Sequence, residues 1–185
     1  MPDQPTVSHE LRSPLASIKG YAAALLRHER RPARTERHQF LLAMTEASDR
    51  LDRSIERLLE MAQLETGALL IERSPVNVAL LAQEAITAAE QGLAEQAAGH
   101  SHPHMLELCV SDTGMGIPAG HLERIFEQFY RVDLRLTREV NGLGLGLAIC
   151  KRIIELHEGT IWAESALQHG STLHVLLPIG EVDNV

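Results

Sequence analysis

Apolar residues in the first third of the chain fall on one helical stripe. Between Ser8 and about His28 they are Leu11, Leu15, Ile18, Ala22 and Leu25, spaced alternately by four and three, the period that returns side chains to one face of an α-helix. Ser8 is a residue type that accepts from the free amides of a first helical turn, so the spacing predicts a helix from Ser8 to His28. Pro14 falls inside it, where the missing donor and the ring's clash with the preceding turn predict a bend just after His9. Pro32 breaks the pattern between Glu29 and Thr35, and a longer helix follows to about Glu65, closed by Gly67. Its stripe of Phe40, Met44, Ala47, Leu51, Ile55, Leu58 and Ala62 keeps a heptad-like step. The seam of such a hairpin is too wide for one hairpin to cover, which predicts a homodimeric four-helix bundle through residues 8 to 66.

The period then changes. A linker from Thr66 to Pro75 leads to an alanine-rich helix predicted from Leu80 to about Ala98. Met105 to Ser111 alternates, with Leu106, Leu108 and Val110 on one face, and reads as a strand ending at Asp112. Thr160 to Ser165 and Thr172 to Leu177 read as two further strands around a turn carrying Gly170, and helices are predicted at Ala119 to Arg131 and Leu143 to His157. The class is α+β: a helical domain over residues 1–68, then a sandwich of sheet and helices over residues 69–185.

With 185 residues and 44% hydrophobic content, the chain has enough apolar material for one or two small cores. A net charge of −8 argues against a nucleic-acid or anionic-membrane partner. Cys109 and Cys150 sit among apolar neighbours and read as reduced core residues, not a disulfide. No apolar run reaches the roughly 18 residues that span a bilayer, so the expected location is the cytoplasm.

Chemistry concentrates in three segments. Ser8-His9-Glu10-Leu11-Arg12-Ser13-Pro14-Leu15 puts an imidazole beside a carboxylate at the start of the first helix. A neutral imidazole, with an ordinary pKa of about 6.5, keeps a lone pair for attack on phosphorus, and Glu10 is placed to accept the proton that leaves the other ring nitrogen. Downstream stand Cys109-Val110-Ser111-Asp112-Thr113-Gly114-Met115-Gly116-Ile117-Pro118 and Asn141-Gly142-Leu143-Gly144-Leu145-Gly146-Leu147-Ala148-Ile149. A carboxylate at a strand end followed by glycines suits an exocyclic amine on a flat ring, which makes Asp112 the candidate for adenine, with Gly114 and Gly116 shaping the pocket. Gly142, Gly144 and Gly146 precede a helix whose first amides can face phosphate oxygens.

In this order the three segments resemble the H, G1 and G2 boxes of sensor histidine kinases, and the resemblance runs from Ser8 to about Pro178. It implies a kinase core that autophosphorylates on His9 at the expense of ATP, with Mg²⁺, and passes the phosphoryl group to an aspartate of a response-regulator receiver domain. Val76 to Leu81 resembles the entry to the family's ATP-binding domain, and Phe126, Phe129 and Tyr130 resemble its F box, expected as core against a nucleotide lid. That lid would run from Arg131 to Asn141, with Arg131, Arg135 and Arg138 near the triphosphate. Glu10 and Ser13 stand at the spacing of the family's phosphatase motif, with Ser where the family has Thr or Asn. The H box begins only eight residues in, so a core without the family's upstream sensor or membrane anchor is expected.

One departure is large. Between Val76 and Asp112 the family also has a strand and a helix carrying the N box, whose asparagine holds Mg²⁺ against the phosphates. Only about three dozen residues occupy that interval here, and no Asn occurs from Val78 to Val140. The expected result is a shortened ATP-binding domain with no Mg²⁺ ligand, an exposed sheet edge and apolar surface left uncovered. The junction is expected near residues 96–104, as a solvated loop. His100, His102 and His104 alternate there, but no carboxylate or cysteine at ligand spacing accompanies them, and no metal site is predicted. The alternative function is a dimeric phosphotransfer or phosphatase module that handles a regulator's phosphate without ATP.

Overall fold

The computed structural model describes residues 7–27, 33–67, 74–89, 96–102, 104–132 and 142–179, with the backbone alone for 85, 86, 88, 89 and 96–102. Two long helices, α1 (Val7–Leu26) and α2 (Arg34–Thr66), pack along one another as a hairpin. α1 runs as one helix through Pro14. Tyr21, late in α1, and Phe40, early in α2, meet at the connected end of the hairpin, ring centroids 5.5 Å apart, while the segment holding Pro32 lies outside the described residues. Gly67 ends α2 in the left-handed conformation, its amide donating to the Gln63 carbonyl, the form of helix stop for which glycine is suited.

The α2 stripe is buried where it meets α1: Ala47 is fully enclosed, and Phe40, Met44, Leu51 and Leu58 are half-buried. Towards its end the buried face rotates. Met61 and Leu64, outside the predicted stripe, pack against Leu143, Leu145 and Ile149 of the second layer. Leu15, Leu41, Leu42, Ile55 and Leu59 stay exposed on the hairpin.

The second layer holds α3 (Val78–Ala89), β1 (Gln96–His102), β2 (Met105–Asp112), α4 (Gly146–Leu156), β3 (Thr160–Ala166) and β4 (Gly170–Pro178). The strands form one antiparallel sheet in the order β1-β2-β4-β3. Leu173, Ile161 and Ala163 face the buried Ile125, Phe126 and Tyr130 and, with Leu147, make the core beneath the helices. Val110 lies on this helix-facing side, paired with Leu173, yet is 41% exposed. Leu80 and Leu81 of α3 are likewise exposed.

Four expectations need correction. Residues 96–102 are the strand β1, paired with β2 from Gln96 opposite Ser111 to His102 opposite Met105. The segment has no apolar alternation and is held by its ladder, so pattern alone marks it as loop. β2 is therefore covered, and β1 is the edge. The alanine-rich helix is shorter than predicted, starting at Val78 with Asn77 Oδ1 accepting from the Leu80 amide at 3.2 Å. The predicted helix from Ala119 to Arg131 is two 3₁₀ turns, Ala119–His121 and Arg124–Phe126. Glu127 is extended and Phe129 has φ 60°, and neither fits a continuous helix. Finally, both cysteines are free but not core: Cys109 is half-buried on the sheet face away from the helices, and Cys150 is exposed. Among the described residues no helix is long and apolar enough to cross a membrane.

Candidate functional site

The start of α1 faces the middle of α2 across a cavity of about 410 Å³ whose lining includes His9, Glu10, Ser13, Arg50, Arg53, Arg57 and Gly142. His9 and Ser13, four apart, share a face of α1. The three arginines recur at spacings of three and four and so line one face of α2. Gly142 arrives from the other layer, so the start of α1 and the second glycine loop share one space. Arg131 ties them together. Its Nη1 donates to Glu10 Oε1 at 3.3 Å and to the Gly142 carbonyl at 3.2 Å, in an ion pair whose side chains are 28% and 17% exposed.

Neighbours on a helix point about 100° apart, and among the described residues the Glu10 carboxylate meets Arg131 and makes no hydrogen bond to His9. Glu10 thus ties the start of α1 to the second layer. Arg131 joins the hairpin to the glycine loop, and Arg135 and Arg138 lie outside the described residues, as does Asn141. The arginines of α2 were missed by motif reading, although their helical spacing is visible in the chain. Guanidinium groups around an acceptor suit phosphoryl oxygens, which they bind in forked pairs.

Asp112 ends β2, exposed, with Oδ1 accepting from the Gly114 amide at 2.7 Å, an Asx turn. The loop beyond it is strapped to the β3–β4 turn. Gln168 donates to the Met115 carbonyl at 2.8 Å, and Ser165 Oγ accepts from the Ile117 amide and donates to the Gly170 carbonyl, both at 2.7 Å. Ser165 is a second residue that sequence reading passed over. Gly116 has φ 72°, and a Cβ there would lie 2.1 Å from the Ala166 carbonyl oxygen. Gly116→Ala is expected to destabilise the fold by about 3 kcal/mol, from left-handed strain plus backbone displacement. Urea unfolding would measure it, and a loss below about 1 kcal/mol would mean that the loop yields freely.

Gly144 has the same need, with φ 67° and the Tyr130 carbonyl oxygen 2.7 Å from where its Cβ would stand. Its own carbonyl accepts from the Phe129 amide at 3.1 Å, which clamps the F-box segment to the glycine loop. Phe126 and Tyr130 are core as expected, with Arg124 4.1 Å above the Tyr130 ring and His121 bonded to its hydroxyl. Phe129 packs on the other cluster, beside Leu143. Gly142 and Gly146 have open space where a Cβ would be. α4 opens at Gly146 with no side-chain cap, which leaves its first amides for an anion. His9, Glu10, Ser13 and Gly142 are thus brought into one cavity, whereas Asp112, Gly114 and Gly116 form a loop anchored on the β3–β4 turn.

Two family models match: the histidine kinase-, DNA gyrase B- and HSP90-like ATPase over residues 76–181 and the His Kinase A phospho-acceptor domain over residues 5–67. The circadian input-output histidine kinase CikA of Synechococcus elongatus is 26% identical over 219 residues, covering 94% of this chain and 29% of its own length. Sensor protein kinase WalK of Staphylococcus saprophyticus is 27% identical over 216 residues, covering 93% and 35%. The chain therefore spans about a third of these relatives. Both alignments exceed its 185 residues, so the relatives carry segments without a counterpart here. The Acinetobacter baumannii histidine kinase AdeS has a similar fold, with TM-score 0.71 at 15% identity, over 94% of this chain and 98% of that one. Histidine kinase ThkA, solved with response regulator TrrA, has TM-score 0.67 at 20% identity, over 93% and 59%. The chain belongs to the histidine kinase-, DNA gyrase B- and HSP90-like ATPase family, and with a phospho-acceptor domain ahead of that ATPase it is a sensor histidine kinase core.

Proposed function

We propose that a ring nitrogen of His9 takes the γ-phosphoryl group of ATP and passes it to a receiver-domain aspartate, slowly, as a cytoplasmic two-component kinase core. The observation that carries this is the shared cavity: His9 stands exposed beside Arg50, Arg53 and Gly142, with Arg131 holding the glycine loop against α1. Positioning and charge do most of the work in phosphoryl transfer. The residues present suit a nucleotide: Asp112 exposed for the base, close backbone approach at Gly116, and the uncapped start of α4 for phosphate. They do not suit Mg²⁺ in the family's manner, since the asparagine that would hold it has no counterpart from Val78 to Val140, and no step is assigned to the metal. Incubation with γ-labelled ATP should give acid-labile, base-stable label on the chain. Complete absence of label over hours would overturn the kinase reading.

That absence would favour the second reading, a phosphotransfer or phosphatase module working without ATP, which Glu10 and Ser13 support by lining the same cavity as His9. Loss of phosphate from a phosphorylated receiver domain, dependent on this chain, would establish it.

The active form is proposed to be a homodimer through the hairpin, because Leu41, Leu42, Ile55 and Leu59 of α2 are between 42% and 58% exposed in one chain. Apolar side chains at this density on a helix call for a partner face. Ile55→Glu costs a lone hairpin little but leaves an unpaired carboxylate in a dimer seam. Sedimentation at micromolar concentration should show a dimer that this substitution dissociates at least about tenfold more readily. A monomeric parent chain would refute the assembly.

A further inference from the structure

The sheet face turned away from the helices carries three metal-ligating side chains that the phosphoryl chemistry does not use. Glu107 and Cys109 are two apart on β2, so they project from one face, and His174 of β4 stands opposite Cys109 in the register. His174 Nδ1 lies 3.3 Å from Cys109 Sγ and 3.1 Å from Glu107 Oε1, and the sulfur and carboxylate are 3.7 Å apart. All three residues are half-buried. The imidazole is fixed from the side by Trp162, stacked at 4.9 Å with 5° between the planes. Its Nε2 is buried, without a hydrogen bond among the described residues, 3.8 Å from Glu164 Oε2.

These distances match a coordination polyhedron. Tetrahedral zinc, with bonds of about 2.3 Å to sulfur and about 2.0–2.2 Å to nitrogen and oxygen, separates its ligand atoms by roughly 3.3–3.6 Å. The observed triangle, 3.1 to 3.7 Å on its edges, needs shifts of only a few tenths of an ångström. We propose that Cys109, His174 and Glu107 form a binding site for a thiophilic divalent cation of the zinc class, held by Sγ, Nδ1 and a Glu107 carboxylate oxygen, with a fourth position left for water.

Binding exchanges the thiol proton for the metal: the S–H bond breaks, the proton leaves to solvent, and a metal–thiolate bond forms. Ligation through Nδ1 directs Nε2–H towards Glu164, the carboxylate partner that metal-bound imidazoles commonly have behind them. A donor set of sulfur, nitrogen and one oxygen selects zinc, cobalt or cadmium over Mg²⁺. The site was invisible in the sequence because Cys109 and His174 are 65 residues apart.

The test is Co²⁺ titration of the full, chelator-stripped chain, read by thiolate-to-cobalt charge-transfer absorption and by quenching of Trp162, the single tryptophan. One Co²⁺ per chain is expected, displaced by Zn²⁺ and indifferent to millimolar Mg²⁺. Cys109→Ser should abolish the charge-transfer band, and His174→Ala should weaken binding by more than about tenfold. Cys109→Ser changes one atom and keeps the fold, as circular dichroism would verify, so the test survives if His174→Ala does not fold. A missing charge-transfer band in the parent chain would overturn the site. So would binding untouched by Cys109→Ser and lost when His100, His102 and His104 are replaced together.

Discussion

His9→Gln is expected to lower label incorporation from ATP by at least roughly three orders of magnitude, the scale on which removing a nucleophile acts, while leaving the fold in place. A phosphoramidate forms only where a ring nitrogen has a lone pair for phosphorus, and the glutamine amide has none to give. The structural cost is small: His9 is exposed on the first turns of α1, and substitutions at such positions usually stay within about 0.5 kcal/mol. Glu10→Gln should behave differently. It weakens the 3.3 Å contact to Arg131, loosening the second layer over the acceptor, so it should slow labelling without abolishing it. Both variants are compared by acid-labile label per chain and by thermal unfolding. Undiminished label on the His9 variant would move the acceptor to another residue. Label abolished equally by Glu10→Gln would restore that carboxylate to a direct role in proton transfer.

What could be read in advance divides by range. The hairpin was legible because its apolar stripes are local and periodic, and Ala47 is indeed fully enclosed. The H, G1 and G2 segments were legible because their residue types carry the chemistry. Glycines at 116 and 144 were named from the pattern, and the structure supplies the reason, a Cβ that would strike the backbone of Ala166 or Tyr130. What escaped depends on distant partners. Leu64 looks like one more leucine of a long helix, and only the fold brings Leu143 and Ile149 against it. β1 has polar and small residues without alternation, so nothing before pairing with β2 distinguishes it from a loop. Arg131 meets Glu10 across 121 positions, beyond any local pattern. The F-box aromatics were read at helical spacing, and Phe129 at φ 60° shows why spacing misled: its amide is drawn to the Gly144 carbonyl.

ATP and ADP are expected to bind this chain with similarly weak affinity, and Mg²⁺ is expected to change either by less than about threefold. In the proposed reading the base is recognised through Asp112 and the strapped loop that ends at Gly116, and the start of α4, without a side-chain cap, would offer amides to one phosphate. A γ-phosphate gains affinity chiefly through cations that bridge its oxygens. The asparagine that would hold such a metal has no counterpart between Asn77 and Asn141, while the helix-facing Val110 stands 41% exposed. The third phosphate therefore adds charge with few new contacts, and Mg²⁺ keeps its water instead of protein oxygens. Calorimetry of the full chain with ATP and ADP, each in Mg²⁺ and in chelator, measures all four affinities. Tight ATP binding that requires Mg²⁺ would refute the expectation and would mean that Glu84, Glu90, Glu95 or the histidines from His100 to His104 supply the missing ligand.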